Sequence, residues 1–252
     1  MPMSRITGIL SVAIITAGMS MPVHAQSLKD VLNKVKSSTG AGGSGTSRSS
    51  LTNTEIVSGL KQALQVGARN ASGKLSSVNG FFGNALIKVL MPPEAKQVES
   101  VLRSIGMGSL VDKAILSMNR AAEDAAGKAV PIFVNAITGM SIQDGLSILT
   151  GGNGAATNYL RQKTVQALTD AFRPVISSSL GKVGATAYWG QVFNAYNRLP
   201  TTRSKVNPDL TSYVTERALN GLFVTISDEE NKIRNNPAAR TTDLLKKVFG
   251  AR

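Results

Sequence analysis

Cysteine is absent from the chain, and its single histidine, His24, lies in an N-terminal segment that reads as removable. Without thiolate or imidazole the usual zinc patterns are not available. A Ser-His-Asp or Cys-His arrangement cannot be assembled either. Disulfides and a lipidated cysteine are excluded as well, so stability has to come from packing alone. Strand signals are scarce: the apolar runs Val130 to Ile137 and Leu222 to Ile226 both sit inside helical patterns. After the N-terminal segment no apolar run reaches the roughly 18 residues of a membrane-span candidate, so an integral membrane protein is not expected.

The start of the chain has the organisation of a secretion signal over residues 1–25. Arg5 opens it, Ile6 to Met19 is mostly apolar, and Val23-His24-Ala25 offers a small-x-small cleavage pattern before Gln26. The expected location is periplasmic or secreted, after cleavage near Ala25. Residues 26–36 carry Leu28, Val31, Leu32 and Val35 at the spacing of a short amphipathic helix. Residues 37–50 are rich in glycine and serine, a composition that predicts a flexible linker.

From residue 51 to 252 the pattern is helical. Thr52 with Glu55, Ser109 with Asp112 and Ser141 with Asp144 have capping-box spacing. Ala85 to Leu90 reads as a short extended run before Met91-Pro92-Pro93. Leu110, Ala114, Ser117, Met118, Ala121 and Ala125 form a helical stripe. A long helix is expected from near Ala155 to Phe172, with Pro174 bending or breaking it. Leu210, Val214, Ala218, Leu222 and Ile226 form an i+4 ladder in what reads as the longest helix, Leu210 to Asn235. A final helix is expected near Thr242 to Phe249. The fold expectation is therefore all-α: a single multi-helix globular domain of about eight to ten helices, preceded by a short tethered helix.

Three motifs carry a resemblance: Ser117-Met118-Asn119-Arg120-Ala121-Ala122-Glu123 with Pro131-Ile132-Phe133; Tyr196-Asn197-Arg198-Leu199-Pro200; and the terminal run from Ile233 to Gly250. Together they resemble the bacterial exported domain-of-unknown-function 4197 family, from about Leu51 to Arg252. The resemblance implies one helical exported domain and brings no activity, cofactor or catalytic residue. It directs attention to polar residues in and around the matching motifs. Asn119, Arg120, Glu123, Thr157, Tyr159, Arg161, Arg234 and Arg240 are the candidate ligand-binding residues, with Asp144 beside them. No catalytic or metal-binding residue is assigned, and no cofactor is expected.

Charge is unevenly distributed. The formal net charge is +13, and between Gly145 and Pro208 seven basic residues face Asp170 alone. Such a surplus attracts polyanions: a lipid headgroup, lipopolysaccharide or glycan of the cell envelope, with nucleic acid ranked last for want of a binding motif. The stretch Gly151-Gly152-Asn153-Gly154 precedes a helix, so free N–H groups there, near Arg161 and Lys163, would suit an anion, with Asn153 as the alternative cap.

Two Ser-x-x-Lys spacings, Ser58/Lys61 and Ser179/Lys182, lack the companion motifs of penicillin-recognising enzymes. Glu230/Arg234, Asp228/Lys232 and Asp124/Lys128 have the spacing of helix ion pairs. A pair such as Glu123 and Glu230, brought together from different helices, would suit glycan hydrolysis. Tyr188, Trp189, Phe193 and Tyr196 read as core before they read as a ligand stack. The leading expectation is a non-enzymatic envelope binding or structural protein with a basic surface for an anionic partner. A carboxylate-dependent hydrolase of cell-wall glycan and a helical carrier of an apolar small molecule are the alternatives.

Overall fold

A computed structural model describes residues 52–198, 205 and 209–235. All of them fall in the second of the two units into which the chain divides, Ser50–Arg252. The expected signal segment, tethered helix, linker and final helix lie outside the described residues, as does Arg240.

The elements are α1 (Asn53–Ser76), a short 3-10 turn (Pro93–Ala95), α2 (Lys96–Ser104), α3 (Gly108–Ala126), α4 (Ala129–Thr138), α5 (Ile142–Thr150), α6 (Ala155–Lys182), α7 (Ala185–Asn197) and α8 (Leu210–Asn235). No strand occurs among the described residues, and the fold is all-α. Capping boxes close the starts of α1 and α5, with Thr52 answering Glu55 and Ser141 answering Asp144. Each box satisfies two otherwise orphaned N–H groups within four residues.

The centre of the domain is α6, packed against α8, α3 and α4, while α1 covers α8, α4, α3 and α5 from the other side. Leu160, Thr164, Leu168, Phe172, Ile176 and Leu180 form its buried stripe. That stripe runs past Pro174, and so does the helix. A mid-helix proline costs about 3 kcal/mol. Burial of Ile176 and Leu180 beyond it offsets that loss, at about 1.5–3 kcal/mol for each large side chain. The helix expected to reach Phe172 and to bend or break at Pro174 thus continues unbroken to Lys182, and at 28 residues α6 rather than α8 is the longest described helix.

On α8 the ladder Leu210, Val214, Ala218, Leu222 and Ile226 is buried throughout. Phe223 packs edge-on to Phe133 of α4, ring centroids 6.0 Å apart. Trp189 and Phe193 of α7 are buried against each other, and Trp189 stacks on Tyr213 of α8. Those two aromatics are core, as the sequence suggested.

Two further details differ from the sequence reading. The N-cap of α3 is Met107 with no side-chain bond, and Asp112 pairs with Arg103 instead of capping with Ser109. Met118, Ala121 and Ala125 of the expected stripe on α3 are buried, but Leu110 is 51% exposed, and Val111, Ile115 and Ala122 complete the inward face. That face also includes Asn119 and Glu123.

Candidate functional site

Residues 77–92 cross the domain without forming a helix or strand, and α3 holds them in place. Phe81 is fully buried against Gly221 of α8, where a Cβ would stand 2.6 Å from its ring. Only glycine admits the aromatic there. The Phe81 and Phe82 N–H groups both donate to Glu123 Oε1 at 3.1 Å, and Arg120 pairs with the other carboxylate oxygen. Arg120 also donates to Asn79 Oδ1 at 2.8 Å, steadying a residue whose φ is +67°.

Further along, Leu86 and Leu90 face solvent while Ile87, Val89 and Met91 are buried. The extended run expected from Ala85 is corrected at its start: residues 85–87 form a turn in which the Ile87 and Lys88 N–H groups donate to the Asn84 carbonyl. The alternation from Ile87 to Met91 has the period of extended backbone. Its partner is not a strand. Asn119 Oδ1 accepts the Val89 N–H at 2.9 Å, and its Nδ2 donates to the Val89 carbonyl at 2.8 Å and to the Ile115 carbonyl at 2.7 Å. One carboxamide meets both polar groups of a buried residue, as a neighbouring strand would.

A second tie joins α8, α6 and α5. Glu230 is 5% exposed. Its Oε1 accepts the Ala156 N–H at 3.1 Å; Oε2 accepts the Thr157 N–H at 2.9 Å and its hydroxyl at 2.7 Å. Arg234 donates Nε to Glu230 Oε1 and Nη2 to the Ile148 carbonyl, both at 2.9 Å. Glu230 is thus the anion at the start of α6, placed where the helix dipole favours negative charge. The expectation of free N–H groups after Gly154 is corrected by this carboxylate, which already takes them. The N-cap is Gly154 at φ +82°, a left-handed conformation that Asn153 does not supply.

The remaining candidates lie elsewhere on α6. Arg161 stacks over the Phe223 ring at 4.3 Å. Tyr159 is half-buried, with Lys163 5.8 Å from its ring. Burial, followed by the charge of Asp144, pushes the Tyr159 hydroxyl above its ordinary pKa. Hydrogen bonds from the Ser141 side chain and backbone hold the Asp144 carboxyl below the usual range.

The structure therefore gathers Asn119, Arg120 and Glu123 beneath residues 77–92, and Thr157 with Arg234 around Glu230. No described contact links the two groups. The sequence named Glu230 only as an ion-pair partner of Arg234 and as a carboxylate to set beside Glu123, not as a ligand-binding residue, although the next rung of the i+4 ladder after Ile226 is residue 230.

The other sequence pairings resolve locally. Lys61 donates to the Thr138 carbonyl and Ser179 to Asp124, so neither serine of the Ser-x-x-Lys spacings bonds its lysine. Glu230/Arg234 forms as an ion pair, whereas Lys232 pairs with Glu229 in place of Asp228.

Two depressions open on the surface. One of about 390 Å³ is lined by Lys74, Ser77, Val78, Asn79, Gly80 and Asn84 among others; the second, about 470 Å³, by Arg173, Pro174, Ser177, Asp209 and Thr211. Neither lining carries two carboxylates. No group of three or more histidine, cysteine, aspartate or glutamate side chains is poised for a metal among the described residues. No single described helix is long and apolar enough to cross a membrane. The α4–α5 pair passes a length-and-composition test only together, bent by 105°.

These features define an all-helical domain whose inward-facing polar residues bind its own backbone. The chain belongs to the family described as a protein of unknown function, DUF4197, whose model matches residues 50–250. No curated protein and no solved structure matches the chain.

Proposed function

We propose that this is an exported, non-enzymatic binding or structural module of the cell envelope, which meets an anionic partner through its basic surface. One observation carries the reading. The two buried carboxylates, Glu123 and Glu230, are engaged by arginines and backbone amides inside the fold. Lys74, Lys128 and Lys182 stand exposed with no ion-pair partner among the described residues. Unscreened cations of this kind raise the local concentration of polyanions and speed their capture.

Such attraction weakens as the Debye length falls from about 10 Å at 0.1 M salt to about 3 Å at 1 M. The purified full chain is expected to be retained at low salt on at least one of three matrices: anionic vesicles, lipopolysaccharide, or an anionic glycan. Retention should be lost as salt rises across that range. Retention on none of them, or retention indifferent to salt, overturns the reading.

A further inference from the structure

Among the described residues the two most exposed large hydrophobic side chains are Leu86, at 84%, and Val78, at 77%. Both lie in the crossing segment, whose buried half is fastened to α3 and α8. Their exposure is held in place by its turns. The Gly80 N–H donates to the Ser77 carbonyl and the Gly83 N–H to the Asn79 carbonyl, both at 2.9 Å. The Lys88 N–H donates to the Asn84 carbonyl at the same distance, and Asn84 Oδ1 accepts from Leu86. These turns hold both aliphatic groups out in water on one short segment.

Along this stretch of the chain the charge has one sign. No acidic residue occurs between Glu55 and Glu94, while Lys61, Arg69, Lys74 and Lys88 do. Lys74 and Val78 line the same open depression. Lys88 lies 3.8 Å over the Phe82 ring, and Arg120 stands 5.9 Å from it on the adjoining helix. Lys128 follows Gly127, which sits against Ser76 at the end of α1. Of the nearby acids, Glu123 is buried and paired with Arg120 and Asp124 accepts from Ser179, while Glu94 and Glu216 lie toward the Leu90 end, where both act on Tyr213, whose hydroxyl donates to the Leu90 carbonyl.

A second exposed apolar corner, Val101, Ile105, Met107 and Leu110, provides the contrast. Its bases Lys96, Arg103 and Lys113 are matched by Glu94, Glu99 and Asp112. Arg103 is held by both Glu99 at 3.0 Å and Asp112 at 2.8 Å.

We infer that the segment 77–90 docks on an anionic lipid bilayer, with Val78 and Leu86 entering the headgroup–acyl boundary and Lys74, Lys88 and Lys128 facing the lipid phosphates. This rests on the polyanion-binding reading above and gives it a place and a partner. Aliphatic side chains ringed by lysines bind an anionic membrane by two additive terms, apolar burial and charge. A soluble polyanion would use the lysines and leave Val78 and Leu86 in water.

The cysteine-free chain makes a clean probe possible. Val78→Cys and Ile105→Cys, each carrying an environment-sensitive fluorophore, are mixed with vesicles of equal phosphatidylglycerol and phosphatidylcholine, or of phosphatidylcholine alone. The label at 78 is expected to shift to the blue on anionic vesicles only, and the label at 105 to stay unchanged. Leu86→Ser should lower vesicle partitioning at least about tenfold. Lys74→Gln and Lys128→Gln should each lower it about fivefold. All three substitutions are on exposed side chains, and unchanged thermal unfolding confirms that the fold persists. Sedimentation with anionic vesicles while the label at 78 stays in water overturns the placement. Salt-sensitive retention on anionic glycan with no vesicle binding overturns the lipid partner while leaving the broader reading standing. Retention on neither removes both.

Discussion

Glu230 closes the start of a 28-residue helix, whereas Glu123 closes a turn in a stretch with no regular structure. Each accepts two backbone N–H groups and pairs with an arginine on its own helix, three or four residues on either side. The surroundings of those arginines differ. The Arg234 side chain is 9% exposed and also bonds the Ile148 carbonyl, while Arg120 is 38% exposed and reaches solvent beside Asn79. The same device is therefore sealed in one place and half-open in the other. Desolvation decides what each costs to break: a stranded cation that can rehydrate is a smaller loss than one that cannot.

Removing the acids tests this ordering. Glu230→Ala is expected to cost about 3–5 kcal/mol in urea unfolding, because it strands a buried arginine. Glu123→Ala is expected to cost less, about 2–3 kcal/mol, chiefly from two amides left unpaired. Adding Arg234→Met to Glu230→Ala should recover part of the loss. Amide exchange should localise the damage to Ala156 and Thr157 in one case and to Phe81 and Phe82 in the other. Equal losses in the two single variants would erase the proposed distinction.

Gly221→Ala tests the Glu123 side from a different direction. The added methyl would meet the Phe81 ring at 2.6 Å and Ile87 at 3.2 Å, so the crossing segment has to shift. Overpacking of this kind costs about 1–3 kcal/mol. Exchange at Phe81 and Val89 should accelerate while the start of α6 keeps its protection. Acceleration at both places would mean that the two ties are coupled.

The smallest effect belongs to the exposed caps. The Asp144 carboxyl is held low by Ser141. At Asp209 burial acts to raise the pKa, but hydrogen bonds from Ser212 and the Arg173 charge together bring it below the ordinary range. A carboxyl whose folded pKa is depressed stabilises the fold above its unfolded value of about 3.9, and that contribution fades as pH falls through the lower folded pKa. Acid unfolding of Asp144→Asn and Asp209→Asn should therefore lose steepness below about pH 4. Titration curves that superimpose on the parent would discount these caps.

The legibility of the molecule follows sequence distance. Thr52/Glu55 and Ser141/Asp144 could be read directly, because each box closes within four residues. The ladder on α8 was legible for the same reason, being one face of one helix. Ser109/Asp112 has the same spacing yet fails, since Arg103 on another helix draws Asp112 away. Pro174 read as a bend or a break because the packing that carries α6 past it comes from other elements. The candidate residues Asn119, Arg120 and Glu123 were found as a group, but their acceptors and donors at 79–89 are some 30 to 42 residues away. Glu230 acts over a greater separation still, and no local pattern announces a cap of that kind.

That separation has a consequence for how the domain comes together. Ala156 and the carboxylate that caps it are separated by 74 positions along the chain. At about 5–20 residues per second, synthesis takes roughly 4 to 15 seconds to cross such an interval. Throughout it the Ala156 and Thr157 N–H groups lack the carboxylate that the folded domain supplies. The start of α6 is thus complete only once α8 has been made and has packed against it.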